Sequence, residues 1–588
     1  MGERILALET DKDLIDLIRK AVLLNAVSHD GKAQAGAIIG KILGEKVELR
    51  SRVKELSSII NTIVTEINNV SIAEQRSIIE KNWPETQKKE KPEEKRLPPL
   101  PNAEKYKQIV TRFSPNPDCV LHLGSARAII LSHEYARIYN GKFILRFEDT
   151  DPKVKKPVLK FYDNIRSDLK WLGCRVDEEF IQSDRLPIYY RYTEKLIGDG
   201  NAYVCSCIPD EFRQKTLAKV ACPCRNLPIS EHLKRWQLML NGEYSEGQVV
   251  VRIKTDLDHP NPAVRDWPAL RVIDTKKHPH PRVGSKYIVW PLYNLAAGLD
   301  DHLMGITHII RGKEHYTNMV RQKFMYKHLG WDYPEAIHYG RLKITGAALS
   351  KSKIVAGIKE GSFEDFDDPR LGTFAALKKR GITPEAIKKM IVEVGIKPND
   401  VTLSWENLYS WNRKILDATS NRYFFVANPV ELKVSSVPRV FTPKVPLHPD
   451  RRDQGFRKFM LEPTGETADV SFWISENDAQ TIELNKIVRL MELFNVKVQS
   501  KTSTQVFADY ESESYDDVRK IRVPLIQWVP KGYEYATQII NQDASITEGF
   551  AESDCKKLKP DSIIQFERFG FVHVTEVGPK LIAYYSQK

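Results

Sequence analysis

Three groups of residues have types and spacings suited to chemistry. The first is Arg112-Phe113-Ser114-Pro115-Asn116-Pro117-Asp118-Cys119-Val120-Leu121-His122-Leu123-Gly124-Ser125-Ala126-Arg127. Its two prolines stiffen the exit from an apolar run. Gly124 lets backbone approach a ligand closely, and a helix opening here offers free N–H groups to phosphate. His122 can donate to a phosphoryl oxygen. The second group is Leu349-Ser350-Lys351-Ser352-Lys353, read as a polar loop in which a lysine meets charge growing on a leaving pyrophosphate. No G-x-x-x-x-G-K-[ST] occurs anywhere, so an ATP-using protein of this sequence works without a Walker A loop. The third group is Cys205-Ser206-Cys207 and Cys222-Pro223-Cys224, two pairs with 14 residues between them. Four soft ligands in two pairs suit tetrahedral zinc. Cys119, Cys174 and Cys555 read as packing residues, since seven cysteines in 588 residues are too sparse for a disulfide scaffold.

The elements that must position these groups follow from pattern. Tyr106–Phe113 reads as a strand, Ser125–Tyr139 as a helix and Lys142–Phe147 as a second strand, the order of a parallel nucleotide-binding sheet. The same texture returns from Tyr287 to Ile310, which makes the stretch between an insertion. Upstream, Leu14, Leu17, Ile18, Ala21 and Val22, then Ile59, Ile60, Ile63, Val64 and Ile67, recur at helical spacing. Lys88 to Pro101 mixes charge of both signs with four prolines and reads as a linker. Residues 356–425 read as mostly helical. Beyond about 430 short β-rich runs such as Ser562–Val574 suggest barrels.

Composition narrows the function classes. Hydrophobic residues make up 41% and charged residues 28%, ordinary for a folded chain. Mean hydropathy is −0.41 and no run approaches the ~18 apolar residues of a membrane span. No signal-peptide core follows Met1, so a cytoplasmic protein with no membrane partner is expected. The formal charge of +12 favours a polyanionic partner, most simply nucleic acid.

Taken together, the motifs resemble class I aminoacyl-tRNA synthetases. His122-Leu123-Gly124-Ser125 is similar to their HIGH signature and Ala348-Leu349-Ser350-Lys351-Ser352 to their KMSKS signature. Arg112-Phe113-Ser114-Pro115, Leu145–Pro152, Pro291–Ala296, Asp300–Gly312 and Asp367-Asp368-Pro369-Arg370-Leu371 resemble the glutamyl/glutaminyl group, in its archaeal and eukaryotic branch. Two positions depart from the signatures. Ser125 stands for the last His of HIGH, and Ala348 for the first Lys of KMSKS, a charge for which Lys343 and Lys353 are the nearest substitutes.

The resemblance implies a multidomain α/β fold. Its parts are a helical domain (1–84), a charged Pro-rich linker (85–104), a Rossmann-type catalytic domain in two halves (105–200 and 281–355), an acceptor-stem-binding insertion (201–280), a helical connecting domain (356–428) and a β-barrel anticodon-binding region (429–588). It implies ATP-dependent attachment of glutamate to tRNA(Glu) through a glutamyl-adenylate, by a monomer using Mg²⁺ and structural zinc. Whether tRNA(Gln) is a second acceptor is a question the sequence leaves open. His122 and Lys351 are implied to be catalytic. Gly124, Ser125, Ser350 and Ser352 join them around ATP, and Cys205, Cys207, Cys222 and Cys224 around the metal. Arg112, Ser114, Glu148, Tyr293 and Arg311 are implied to hold the amino acid. Arg311 separates glutamate from glutamine, because a guanidinium fork matches a carboxylate and glutaminyl enzymes lack an arginine there. A glutaminyl enzyme and a catalytically idle RNA-binding paralogue remain the alternatives. Intact His122 and Lys351 count against the second.

Overall fold

The structure, a computed structural model, describes residues 12–28, 31–83, 97–346, 351–519 and 523–588. The chain divides into two compact units, Met1–Arg96 and Leu97–Lys588. Most of the expected linker, and Ala348, Leu349 and Ser350, lie outside the described residues.

Among the described residues the first unit holds four α-helices: α1 (Lys12–Ser28), α2 (Ala35–Glu45), α3 (Val53–Asn68) and α4 (Ile72–Asn82). The helical spacing seen in the sequence buries Ile18, Val22, Leu56, Ile60 and Ile63 in one core. Ser71 and Glu74 form a reciprocal capping box that starts α4. The buried Gln75 amide donates to the carbonyls of Gly31, Ile67 and Val70, closing three backbone acceptors with one side chain.

The second unit opens with β1 (Val110–Phe113), α5 (Leu123–Ile138), β2 (Lys142–Phe147), α6 (Leu159–Trp171) and β3 (Glu178–Ile181). β1, β2 and β3 pair in parallel, with Val110 opposite Lys142 and Ile144 opposite Glu178. β1 is shorter than the expected strand, because the chain bends at Lys107–Gln108 and Tyr106 instead packs edge-on against His308. After α7 (Leu186–Gly198) comes an antiparallel sheet of four strands in sequence order, β4 (Ala202–Cys205), β5 (Val250–Ile253), β6 (Pro268–Val272) and β7 (Val289–Pro291). Helices α8 (Pro209–Leu217) and α9 (Ile229–Leu240) lie between β4 and β5. The inserted sheet therefore runs to Pro291, past the 280 expected, since β7 pairs with β6 before the chain turns back.

It turns back through α10 (Tyr293–Leu303), β8 (His308–Gly312), α11 (Tyr316–Leu329) and β9 (Glu335–Tyr339). β8 and β9 are parallel. Thr307 N–H donates to the Val110 carbonyl, and Val110 N–H to Thr307 Oγ1, so β8 starts beside β1 on the side away from β2. The sheet thus has a topological switch between β1 and β8. A crevice at the carboxyl ends of strands flanking such a switch is where open α/β sheets hold ligands.

Next come β10 (Leu342–Ile344), α12 (Lys351–Lys359), α13 (Phe374–Lys379), α14 (Pro384–Val394), β11 (Val401–Leu403) and α15 (Trp405–Leu416). Lys351, Ser352 and Lys353 form the first turn of α12 and are not the loop expected.

Two seven-membered sheets complete the unit. One orders its strands from Arg422–Tyr423, through the hairpins of 534–587, to Phe425–Ala427. The other runs from Leu525–Ile526, through the strands of 429–512, to Val529–Pro530. In each case the two end strands are halves of one short segment, so each sheet curls round until it meets itself. The alternating burial of Pro429–Ser435 and Val470–Ser475 fills the inside with Leu432, Val434, Phe472 and Ile474. The barrel region begins at Arg422, inside the stretch expected to be helical.

Candidate active site

The switch between β1 and β8 brings together residues that the sequence scatters. Arg112 and Phe113 end β1, Glu148 follows β2, Tyr293 starts α10 and Arg311 lies at the end of β8. α10 is apolar but for a few positions, and its residues Asn294 to Asp301 are all buried, two adjacent acids included.

Arg311 is 5% exposed. Its Nη1 donates to the Tyr293 hydroxyl at 3.2 Å, and its Nη2 to the Tyr333 hydroxyl at 3.0 Å and to Gln322 Oε1 at 3.3 Å. Its Nε has no partner. Among the described residues no carboxylate lies within ion-pair distance of it, and the pairing with Glu314 that a strand-end arginine would favour is absent. A buried cation among neutral groups only is costly unless an anion joins it. The field of this arginine reaches the neighbouring rings. Burial, with the charges of Arg311 and Arg112, pushes the His315 and His338 imidazoles down to about 4, so both are neutral near pH 7.

Beside it runs a row of alternating charges. Arg112 Nε donates to Asp301 Oδ1 at 3.0 Å, Arg146 Nη1 to the same oxygen at 2.8 Å, and Arg146 Nη2 to Glu148 Oε1 at 2.9 Å. Burial alone would raise the Asp301 carboxyl, but Arg112 and Arg146 outweigh it and hold it below the ordinary carboxylate range. Burial raises the Glu148 carboxyl above its usual value, with Arg146 opposing. Three guanidiniums against two carboxylates leave the site one positive charge in excess. Ser114 Oγ and Asn294 Oδ1 are buried without partners.

At the start of α5, His122 caps the helix. The Gly124 N–H donates to His122 Nδ1 at 3.0 Å, which leaves the ring proton on Nε2. Burial lowers the His122 pKa and favours this neutral form. A Cβ on Gly124 would lie 2.7 Å from His122 Cε1, so glycine is what allows the cap. The segment is strapped to the start of α13: Leu123 N–H donates to the Gly372 carbonyl and Phe374 N–H to that of Leu121. Lys351 pairs with Asp118 of the same segment, which joins the two motifs in space. The Lys351 side chain is 43% exposed and that of Asp118 13%. Lys343 and Lys353 are both exposed.

In the insertion the four cysteines gather. Cys205 Sγ is 3.9 Å from Cys222 Sγ, and Cys207 Sγ 3.7 Å from Cys224 Sγ. A tetrahedron with metal–sulfur bonds of ~2.3 Å has edges of about 3.8 Å. Cys205, Cys207 and Cys222 lie within 4.8 Å of one another, while Cys224 approaches this trio through Cys207. A hydrogen bond from the Cys205 thiol lowers Cys222 to about 5, favouring the thiolate that a metal ligand requires. The donor set fits zinc. Cys119, Cys174 and Cys555 are buried elsewhere, as expected.

The chain matches the description of class I tRNA synthetases (E and Q): the catalytic domain over residues 108–418, and the anticodon-binding domain over 420–511 and again over 513–575. It belongs to that family. The glutamate–tRNA ligase of Thermococcus onnurineus is 51% identical over 97% of this chain and 99% of its own length. That of Thermococcus kodakarensis is 50% identical over 98% and 100%. A solved glutamate–tRNA ligase from Elizabethkingia meningosepticum, in complex with its amino acid, is 25% identical, covers 54% of this chain and 71% of its own, and superposes with a TM-score of 0.40. Among the described residues no helix is long and apolar enough to cross a membrane.

For this synthetase, the sequence alone does not disclose the part played by Arg146, Asp301, His315, Gln322, Tyr333 and His338 around Arg311 and Arg112, or by Asp118 beside Lys351. One signal was available: two adjacent acids in an otherwise apolar helical run call for buried cationic partners.

Proposed function

We propose that this chain attaches glutamate to tRNA(Glu) in two steps and that the crevice between β1 and β8 is where both occur. The observation that carries this is Arg311, a buried guanidinium with only neutral partners, in a site with one positive charge in excess. Glutamate carries one net negative charge and cancels that excess. Glutamine carries none. In this reading the Arg311 fork takes the side-chain carboxylate, with the Tyr293 hydroxyl beside it. Arg112 and Ser114 hold the α-carboxylate, and Glu148 attracts the ammonium.

The α-carboxylate oxygen attacks the α-phosphorus of ATP, which enters with Mg²⁺, and pyrophosphate leaves with the bond's electron pair. A ribose hydroxyl of the terminal adenosine of tRNA then attacks the carbonyl carbon, losing its proton, and AMP departs. No protein nucleophile takes part. His122 offers its Nε2–H to a phosphoryl oxygen, and the small Gly124 and Ser125 leave space for phosphate beside it, although the N–H groups of Leu123, Gly124 and Ser125 are already bonded and are not the free donors expected from the sequence. Lys351 exchanges Asp118 for the charge that grows on the pyrophosphate, with Ser352 next to it in the chain; Ser350, assigned to the same role from the sequence, lies outside the described residues.

The insertion is read as the acceptor-stem-binding part, its knuckle held by zinc on Cys205, Cys207, Cys222 and Cys224. The ion there supplies structure and no step. Elemental analysis of protein purified without chelator is expected to find one zinc per chain. The barrels are read as the anticodon-binding region, consistent with the basic charge, and the enzyme as a cytoplasmic monomer.

The test is aminoacylation with glutamate and with glutamine, on tRNA(Glu) and tRNA(Gln) side by side. Glutamate is expected to exceed glutamine in kcat/KM by ~10³-fold or more on tRNA(Glu), because the amide leaves a buried charge unmatched. A preference for glutamine overturns the reading. Charging of tRNA(Gln) with glutamate would add a second acceptor without altering the pocket.

A further inference from the structure

Asp300 and Asp301 are neighbours on α10, both completely buried, and they serve different partners. Asp300 receives Arg185 Nε at 2.9 Å, the Tyr189 hydroxyl at 2.7 Å and Gln182 Nε2 at 3.0 Å, all from the stretch that leads into the insertion. Among the described residues Asp301 receives only Arg112 and Arg146, both on one oxygen, while Oδ2 has no partner.

We propose that Asp301 is a positioning residue for glutamate: its single oxygen Oδ1 fixes the direction of Arg112 toward the substrate's α-carboxylate and, through Arg146, the direction of Glu148 toward the ammonium. This rests on the reading of the crevice as the glutamate pocket. The geometry supports a linked row. Arg112 meets Asp301 through Nε alone, so neither of its terminal nitrogens is used by this carboxylate and both remain for a ligand. Arg146 is fully buried and splits its two terminal nitrogens between Asp301 and Glu148, so it cannot turn without moving both. A positive, a negative, a positive and a negative group thus stand in sequence, and removing the second frees the first and unbalances the last two. Asp301 touches neither ATP nor the reacting carbon in this arrangement. It acts through the two arginines.

The experiment compares Asp301→Asn with Asp300→Asn in the full-length enzyme. Both changes remove one buried carboxylate from the same helix with almost no change in shape. For Asp301→Asn the KM for glutamate is expected to rise ~10²-fold, with the KM for ATP within twofold of wild type, because a neutral amide oxygen can still accept both bonds but no longer supplies the negative charge that holds two buried guanidiniums side by side. Combining it with Glu148→Gln is expected to give much less than the product of the two single effects, since residues of one network do not add. Asp300→Asn is expected to lower the melting temperature without separating the two KM values. Should Asp301→Asn prove insoluble, Asp301→Glu keeps the charge and displaces the shared oxygen by one methylene. It is expected to raise the glutamate KM at least tenfold. Equal glutamate KM changes in the Asp300 and Asp301 variants, multiplicative effects with Glu148→Gln, or a wild-type glutamate KM in Asp301→Glu would each overturn the proposal. A wild-type enzyme that does not use glutamate at all would overturn the pocket assignment, a separate outcome.

Discussion

The proposed amino-acid pocket and the proposed triphosphate side are built on opposite principles. In the pocket, Arg112, Arg146, Asp301 and Arg311 are all at most 5% exposed, and each arginine is held by two or more groups or by a fixed carboxylate. On the triphosphate side the lysine is 43% exposed and has one carboxylate partner, Asp118. In the proposed reading, selection between glutamate and glutamine precedes any bond change, so its groups gain by being fixed in advance. Stabilising a leaving pyrophosphate happens only as charge appears there, so its cation gains by being free to move.

The comparison is sharpened most by Arg311→Cys. It is expected to lower kcat/KM for glutamate by ~10³-fold, through KM, on the scale of about 4 kcal/mol for removing one partner of a buried charge pair. A Cys variant that still uses glutamate normally would remove the pocket's rigidity from the account. Lys351→Ala is next: adenylate formation should slow by ~10²-fold while the glutamate KM stays within twofold. Pyrophosphate exchange at saturating glutamate reads this directly, and a near wild-type rate would break the contrast.

Acid titration probes the pocket's field. His315 and His338 have folded values of about 4, below the 6.5 of an unfolded imidazole, so the unfolded chain binds more protons between those values. Stability is therefore full above about pH 6.5 and declines as pH falls toward 4. The wild-type melting temperature should drop over this range, and that of His315→Gln should drop less. Parallel curves would mean that the imidazole is not held neutral by its surroundings. The smallest effect is expected from Asp118→Asn, a change of less than ~10-fold in the activation rate, because the pair it breaks is half in water. A loss as large as that of Lys351→Ala would mean that Asp118 does more than park the lysine.

What the sequence disclosed follows the reach of each interaction. β2 and α5 were legible to within a residue or two, since hydrophobic period and a glycine turn are local signals. The segment 112–127 disclosed its chemistry because His122, Gly124 and the helix start are contiguous. Asp301 and its arginines were not legible as a unit: their bonds join residues 189 and 155 positions apart, and only the fold of β1, β2 and α10 brings them together. The lysine motif was misjudged as a loop because Lys351-Ser352-Lys353 is polar, and polarity does not distinguish a loop from the exposed first turn of a helix. β1 is shorter than expected for a related reason, since Tyr106, Ile109 and Val110 suit a strand and do not reveal the bend at Lys107–Gln108 between them.

The closing segments of the two β-sheets have a further consequence. One bends at Phe424 and the other at Gln527–Trp528, and each side of the bend pairs with a different end of its sheet. Neither sheet is left with a long row of bare N–H and C=O groups along a border. Such a row invites another chain to add itself as one more strand, the usual seed of runaway association in β-rich proteins. Here two short kinks remove that opening, so a region rich in aliphatic strands does not offer its border as a template for another chain's backbone.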